Sequence, residues 1–206
     1  HDAGRAILET ARERDCDLIV LGWKGFTTTK EKMLGEVVDA VVNHARADVM
    51  LVKSGEKKSD DGLLRKFLLP SAGGEHARCA ANYVGSLLRV LGGSVTLCSV
   101  VRPDMSETES QTAGERLQES RERLAKKNEI KVESKLIENK SVSVGVIAES
   151  EDYDAVVVGA AGGSIYPQII FGSIPESIAR HVDKPVILVK HYHPVKALLG
   201  RVIGEE

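Results

Sequence analysis

Apolar and polar positions follow two alternating patterns along the chain. Short continuous apolar runs, bounded by glycine or acidic residues, occupy 18–21, 49–53, 66–70, 95–101, 155–158 and 186–190. Runs of this kind predict strands buried on both faces of a parallel sheet. Segment 130–137 alternates instead, as a half-solvated strand does. Between them, apolar residues three and four apart predict helices over 4–14, 35–45, 75–91, 110–127, 142–151 and 173–181, with Gly92-Gly93 closing the third. Strand and helix alternating at this spacing predict a parallel α/β sheet with right-handed crossovers.

The pattern repeats itself. Laid over Ser141 onward at a constant offset of 137 residues, the segment from Gly4 matches at Ala11, Asp15, Asp17, Val20, Gly22, Gly25, Gly35, His44, Val49, Leu51, Val52 and Lys53. These identities concentrate on glycines and strand residues, which predicts a tandem repeat with the first copy partial. The expected domains are 1–53, the C-terminal half of a first module; 54–62, a polar linker; 63–190, a complete second module of five strands and four helices; and 191–206, a tail. Strand 18–21 then needs an earlier strand beside it, so the expectation is that a longer polypeptide or a second chain supplies one.

Composition narrows the function. A formal net charge of -2 offers no basic surface for nucleic acid. Cys16, Cys79 and Cys98 lack C-x-x-C spacing, as reduced thiols do, which predicts neither disulfide nor zinc framework. No long apolar run and no leader-like start are visible, so the segment reads as cytoplasmic. His191 and His193 share ligand-like spacing but lack a third partner in sequence, and no metal site is expected. His44 and His181, at matching helix ends, read as residues that complement the helix dipole. The acidic pairs Asp15/Asp17 and Asp152/Asp154 read as turn formers. Trp23 reads as packing, Lys24 as a solvated loop cation, and the mixed charges of 115–127 as a solvated helix face. The segment 192–203 could dock on a membrane surface or a partner, or pack on itself.

The chemistry concentrates in glycine loops. Gly159-x2-Gly162-x9-Gly172-Ser173 lies between a buried strand and a helix start, and Gly22-x2-Gly25-x9-Gly35-Glu36 repeats it. Glycine permits close backbone approach or positive φ, and the helix start after it presents free N–H groups to phosphate. At these residues the sequence resembles the universal stress protein family, from about Gly4 to Lys190. The resemblance implies a flavodoxin-like, adenine nucleotide alpha hydrolase-like doubly wound parallel sheet of five strands. It also implies pairing through the last strands, as a homodimer or between modules, and ATP or AMP binding, with Mg as a companion ion, without significant catalysis.

Carried over by position, the resemblance places nucleotide contacts at Pro70, Ala72, Val100, Gly159, Gly162, Gly172, Ser173 and Ile174, and at Gly22, Gly25 and Gly35 in the first copy. Three positions depart from it. Ala72 stands where the family has an adenine-binding aspartate, Pro175 removes a helix-start N–H, and Glu36 puts negative charge where a hydroxyl is expected. These favour the alternative of a nucleotide-free dimerisation or docking domain. Phe171-Gly-Ser-Ile-Pro-Glu176, the paired modules and the basic tail also resemble stress-protein domains fused to amino-acid permeases, which makes the cytosolic tail of a transporter a variant of that alternative.

Overall fold

The computed structural model describes residues 2–24, 34–55, 64–160 and 171–193. Seven strands form one sheet. In chain order the elements are α1 (Ala3–Glu13), β1 (Leu18–Trp23), α2 (Glu36–His44), β2 (Asp48–Lys53), β3 (Lys66–Pro70), α3 (Glu75–Leu91), β4 (Ser94–Val101), α4 (Glu107–Asn128), β5 (Lys131–Glu138), α5 (Val142–Glu149), a 3-10 turn (Ser150–Asp152), β6 (Ala155–Gly159), α6 (Ser173–His181) and β7 (Val186–Lys190).

Local chemistry sets most boundaries. The Asp2 carboxylate accepts from the Arg5 N–H to start α1, and Ser141 does the same for α5 through Val144. Helix α4 opens on a reciprocal pair, Ser106 with Glu109, which starts it three residues before the apolar periodicity does. Helix α3 ends at Gly92, whose φ of 73° takes the chain out of the helix.

The strand order is β1-β2-β7-β6-β3-β4-β5. Neighbours are parallel except β2 and β7, which run antiparallel with Leu51 opposite Leu188. Two expectations are corrected here. A flavodoxin-like sheet would order its five strands 2-1-3-4-5, whereas β3 to β7 take the Rossmann-like order 3-2-1-4-5. The sheet is also mixed and seven-stranded, not an isolated parallel five, because β2 adds to the edge of β7 and carries β1 with it.

Two cores flank the sheet. One holds Val41, Val42, Val146, Ile178 and Ala179 from α2, α5 and α6, with Ile7 and Leu8 of α1 packed against it. The other holds Cys79, Ala80, Val84 and Leu88 of α3 and Leu117 and Leu124 of α4. Two lysines tie the central strands across the antiparallel seam. Lys53 Nζ donates to the carbonyl of Ala179 at 2.8 Å, near the end of α6, and Lys190 Nζ donates to Val42 at 2.5 Å, near the end of α2. A cation is favoured at a helix C-terminus. Burial nevertheless lowers the Lys190 pKa.

Among the described residues β1 is an edge strand, paired only with β2. Ile19 and Trp23 face the first core and are buried, but Val20 on the opposite face is 55% exposed. Its counterpart at the 137-residue offset, Val157, is fully buried in the second core.

Candidate functional site

The strand order reverses between β3 and β6, and open α/β sheets bind ligands outside the carboxyl ends of the strands at such a switch point. The carboxyl end of β3 leads through Pro70 into a loop of small residues. The Ser71 hydroxyl accepts from the Gly73 N–H at 3.2 Å, and Ala72 is exposed. Val100, near the end of β4, is half-buried against the first core.

Helix α6 opens at Gly172, whose φ of 81° is costly for any residue with a Cβ. Ser173 and Ile174 follow and are exposed, and Pro175 is buried. The first amides of a helix have no intrahelical partner, and Pro175 withholds the third of them here. The acid in this turn, Glu176, is engaged by Arg180 at 2.8 Å. Helix α2 opens in the same way, at Gly35 with φ 98°. There Glu36 and Asp39 both stand in the first turn, and the Asp39 carboxylate lies 3.3 Å from the Leu34 N–H. An anion is therefore better received at α6 than at α2.

Gly159 has a structural duty that the spacing does not reveal. A Cβ there would lie 2.6 Å from the backbone of His76 and Ala77, so the first turn of α3 rests directly on it. Among the described residues, a Cβ at Gly22, its counterpart, would meet nothing within 4 Å. Gly25 and Gly162 lie outside the described residues, as does most of the linker and of the tail. Trp23 is buried in the first core and Lys24 is exposed. The Nδ1 atoms of His44 and His181 lie 2.9 and 2.8 Å from the carbonyls of Ala40 and Ser177 in their own last turns. Since a carbonyl only accepts, each Nδ1 carries the proton.

Another polar group, beside the carboxyl end of β7, escaped the sequence. The expectation that His191 lacks a third partner is corrected, because its Nδ1 lies 2.8 Å from Asp48 Oδ1 across the β2–β7 seam. The Asp48 carboxylate also accepts from the Tyr192 N–H at 2.8 Å, the Tyr83 hydroxyl at 2.7 Å and the Cys79 thiol at 3.1 Å. Burial pushes the Asp48 pKa up, but these four donors outweigh it and hold the carboxyl below its ordinary value. The same contacts, led by burial, raise the Cys79 and Tyr83 pKa values. Nothing in local spacing gave this cluster away.

Asp48 therefore makes stability depend on pH. Its native pKa lies below the unfolded value of about 4, so its contribution is complete above that pH and is lost as pH falls through the native value. Denaturant titrations at pH 7 and pH 3 are expected to show a wild-type advantage over Asp48→Asn that shrinks at the lower pH. A constant advantage contradicts the assigned network.

Among the described residues no helix is long and apolar enough to cross a membrane. No curated protein matches the chain. Among solved structures, the chain is similar to a universal stress protein from Archaeoglobus fulgidus DSM 4304, with TM-score 0.65, 20% identity and 92% of this chain covered. The chain spans 65% of the length of that structure. A second universal stress protein from Archaeoglobus fulgidus aligns at TM-score 0.54 and 17% identity, over 63% of this chain and 96% of its own. A universal stress protein in complex with cAMP aligns at TM-score 0.52 and 17% identity, over 63% of this chain and 98% of its own. At these identities the likeness is one of fold. The model of the universal stress protein family matches residues 1–53 and 64–190. The chain belongs to the universal stress protein family.

Proposed function

We propose that the chain is a regulatory module that binds an adenine nucleotide, ATP or AMP, without significant hydrolysis. The phosphates would lie against the start of α6 and the base against the loop after β3. The observation that carries this reading is the opening of α6. Gly172 takes a positive φ, and the exposed residues Ser173 and Ile174 open a helix whose first amides have no intrahelical partner. A family member of similar fold in complex with cAMP supports the ligand class. Among the described residues, no carboxylate is free at the start of α6 to act as a base, since Glu176 is held by Arg180.

Calorimetric titration of ATP and AMP into the full chain tests this. Ser173→Glu places at α6 the residue that Glu36 places at α2. A carboxylate at a helix start does not harm the fold, so the variant is expected to keep wild-type stability and lose nucleotide binding. Ala72→Asp restores an acceptor for the adenine amino group and is expected to tighten ATP roughly tenfold, the worth of one hydrogen bond of about 1.4 kcal/mol. No heat of binding up to millimolar ATP in any variant would sink the proposal.

We also propose that the chain is a tandem of one partial and one complete module, facing each other through β2 and β7. The crossed lysines support this, since Ala179 follows Val42 by the same 137 residues that separate Lys190 from Lys53. The uncovered Val20 face supports it too, because in the complete half α3 covers the matching residues. That face favours a second reading, in which the domain docks a strand followed by an amphipathic helix, completing the first module as β3 and α3 complete the second. A preceding segment or another chain could supply the pair.

A further inference from the structure

Asp48, Cys79 and His191 come from three separate elements, the start of β2, the first half of α3 and the residue after β7. Their donor atoms nevertheless all lie within 4.8 Å of one another. We infer that they form a binding site for a divalent transition-metal ion of the zinc class, placed on the seam that joins β2 to β7.

The donor set argues for that class. A thiol and an imidazole beside one carboxylate suit zinc, cobalt or a similar borderline ion better than the hard, oxygen-seeking Mg²⁺ or Ca²⁺. The geometry is close to what such an ion needs. Bonds of about 2.0 Å to nitrogen or oxygen and about 2.3 Å to sulfur in a tetrahedron separate the donors by roughly 3.3–3.5 Å. The present separations of 2.8 Å from Asp48 to His191 and 3.1 Å from Asp48 to Cys79 are those of shared protons. A metal takes the place of those protons once the donor atoms, all within 4.8 Å of one another, adjust to these separations. The carboxylate keeps its charge, the thiol gives its proton to solvent, and the imidazole proton moves from Nδ1 to Nε2. The complex therefore forms with net release of one proton.

The surroundings hold the ligands in place. The His191 N–H donates to His76 Nδ1 at 3.0 Å, which fixes the backbone that carries the imidazole. The hydroxyl of Tyr83 and the N–H of Tyr192 hold the Asp48 carboxylate from outside the triad. His193, its ring centroid 4.5 Å from that of His191 and its Nε2 2.9 Å from Glu75 Oε1, adds an imidazole and a carboxylate beside the site. All three proposed ligands line a cavity of about 780 Å³, which leaves a fourth coordination position open to water or to another ligand. Arg78, Arg123 and Lys127 line the same cavity. Their positive charge weakens a purely electrostatic cation site, so the thiolate bond has to carry the affinity.

Cobalt titration of the reduced, full-length chain tests this directly, because a thiolate bound to Co²⁺ gives a near-ultraviolet charge-transfer band. The expected result is one Co²⁺ per chain with that band, displaced by one equivalent of Zn²⁺. Cys79→Ser is expected to lose the band, and Cys16→Ser, which removes the exposed thiol, to keep it. His191→Gln is expected to weaken binding at least tenfold with an unchanged circular dichroism spectrum. Should Cys79→Ser fail to fold, persistence of the band in both Cys16→Ser and Cys98→Ser still decides the matter. No stoichiometric Co²⁺ binding, binding without the band, or a band lost in Cys16→Ser overturns the proposal.

Discussion

Gly159→Val is expected to destabilise the protein by about 3 kcal/mol or to prevent folding, while Gly22→Val is expected to change stability by less than about 0.5 kcal/mol. The two glycines hold matching places in the glycine loops, yet their surroundings differ. A Cβ on Gly159 meets the backbone of His76 and Ala77 at 2.6 Å, and backbone at the start of a helix cannot swing aside as a flexible side chain can. Helix α3 would have to lift from β6 and β7, loosening Cys79, Ala80 and Val84 in the second core. At Gly22 a Cβ meets nothing within 4 Å among the described residues and the φ is not positive, and a β-branched residue suits a strand. Urea midpoints for the two variants measure the contrast. Equal losses would mean that α3 does not rest on Gly159.

Leu188→Ala is expected to cost about 2–5 kcal/mol, and Leu51→Ala a similar amount. The two leucines stand directly opposite each other across the antiparallel β2–β7 pair, and both are fully buried in the same core. Each truncation opens a cavity that close-packed neighbours from α2 and α6 fill only in part. Because they share one space, the double variant is expected to lose less than the sum of the two single losses. Denaturation followed by fluorescence and by circular dichroism should give coincident transitions in all three proteins, since β2 has no other route into the sheet. Strictly additive losses, or separate transitions for the two probes in the wild type, would show that the seam does not couple the halves.

Element positions were legible because each rests on local chemistry. Strands β3 and β7 and helices α3 and α6 have the bounds that their apolar runs and glycines predict. Strand order was less legible, because periodicity says which face of a strand is apolar and not which strand lies beside it. The antiparallel register of Leu51 with Leu188 and the covering of Val157 but not Val20 follow from long-range packing. In the candidate site, Gly172 and Ser173 could be read from spacing, since a phosphate-binding helix start is a local device. The duty of Gly159 toward α3 could not. Nor could the Asp48, Cys79 and His191 cluster, whose outer members stand 143 residues apart and meet only because β2 lies antiparallel to β7. The single hint in the repeat was that Asp48 occupies the place of Pro185.

The central claim is that nucleotide phosphates are received at the start of α6 and not at the start of α2. Amide chemical shifts of the isotopically labelled full chain, followed through a titration with ATP, test it most directly. The account predicts saturable shifts at Ser71 to Gly74, Gly159 and Gly172 to Ile174, with Gly35 to Val37 unmoved and the whole response abolished in Ser173→Glu. Shifts centred on Gly35 to Val37, or none up to millimolar ATP, would contradict it.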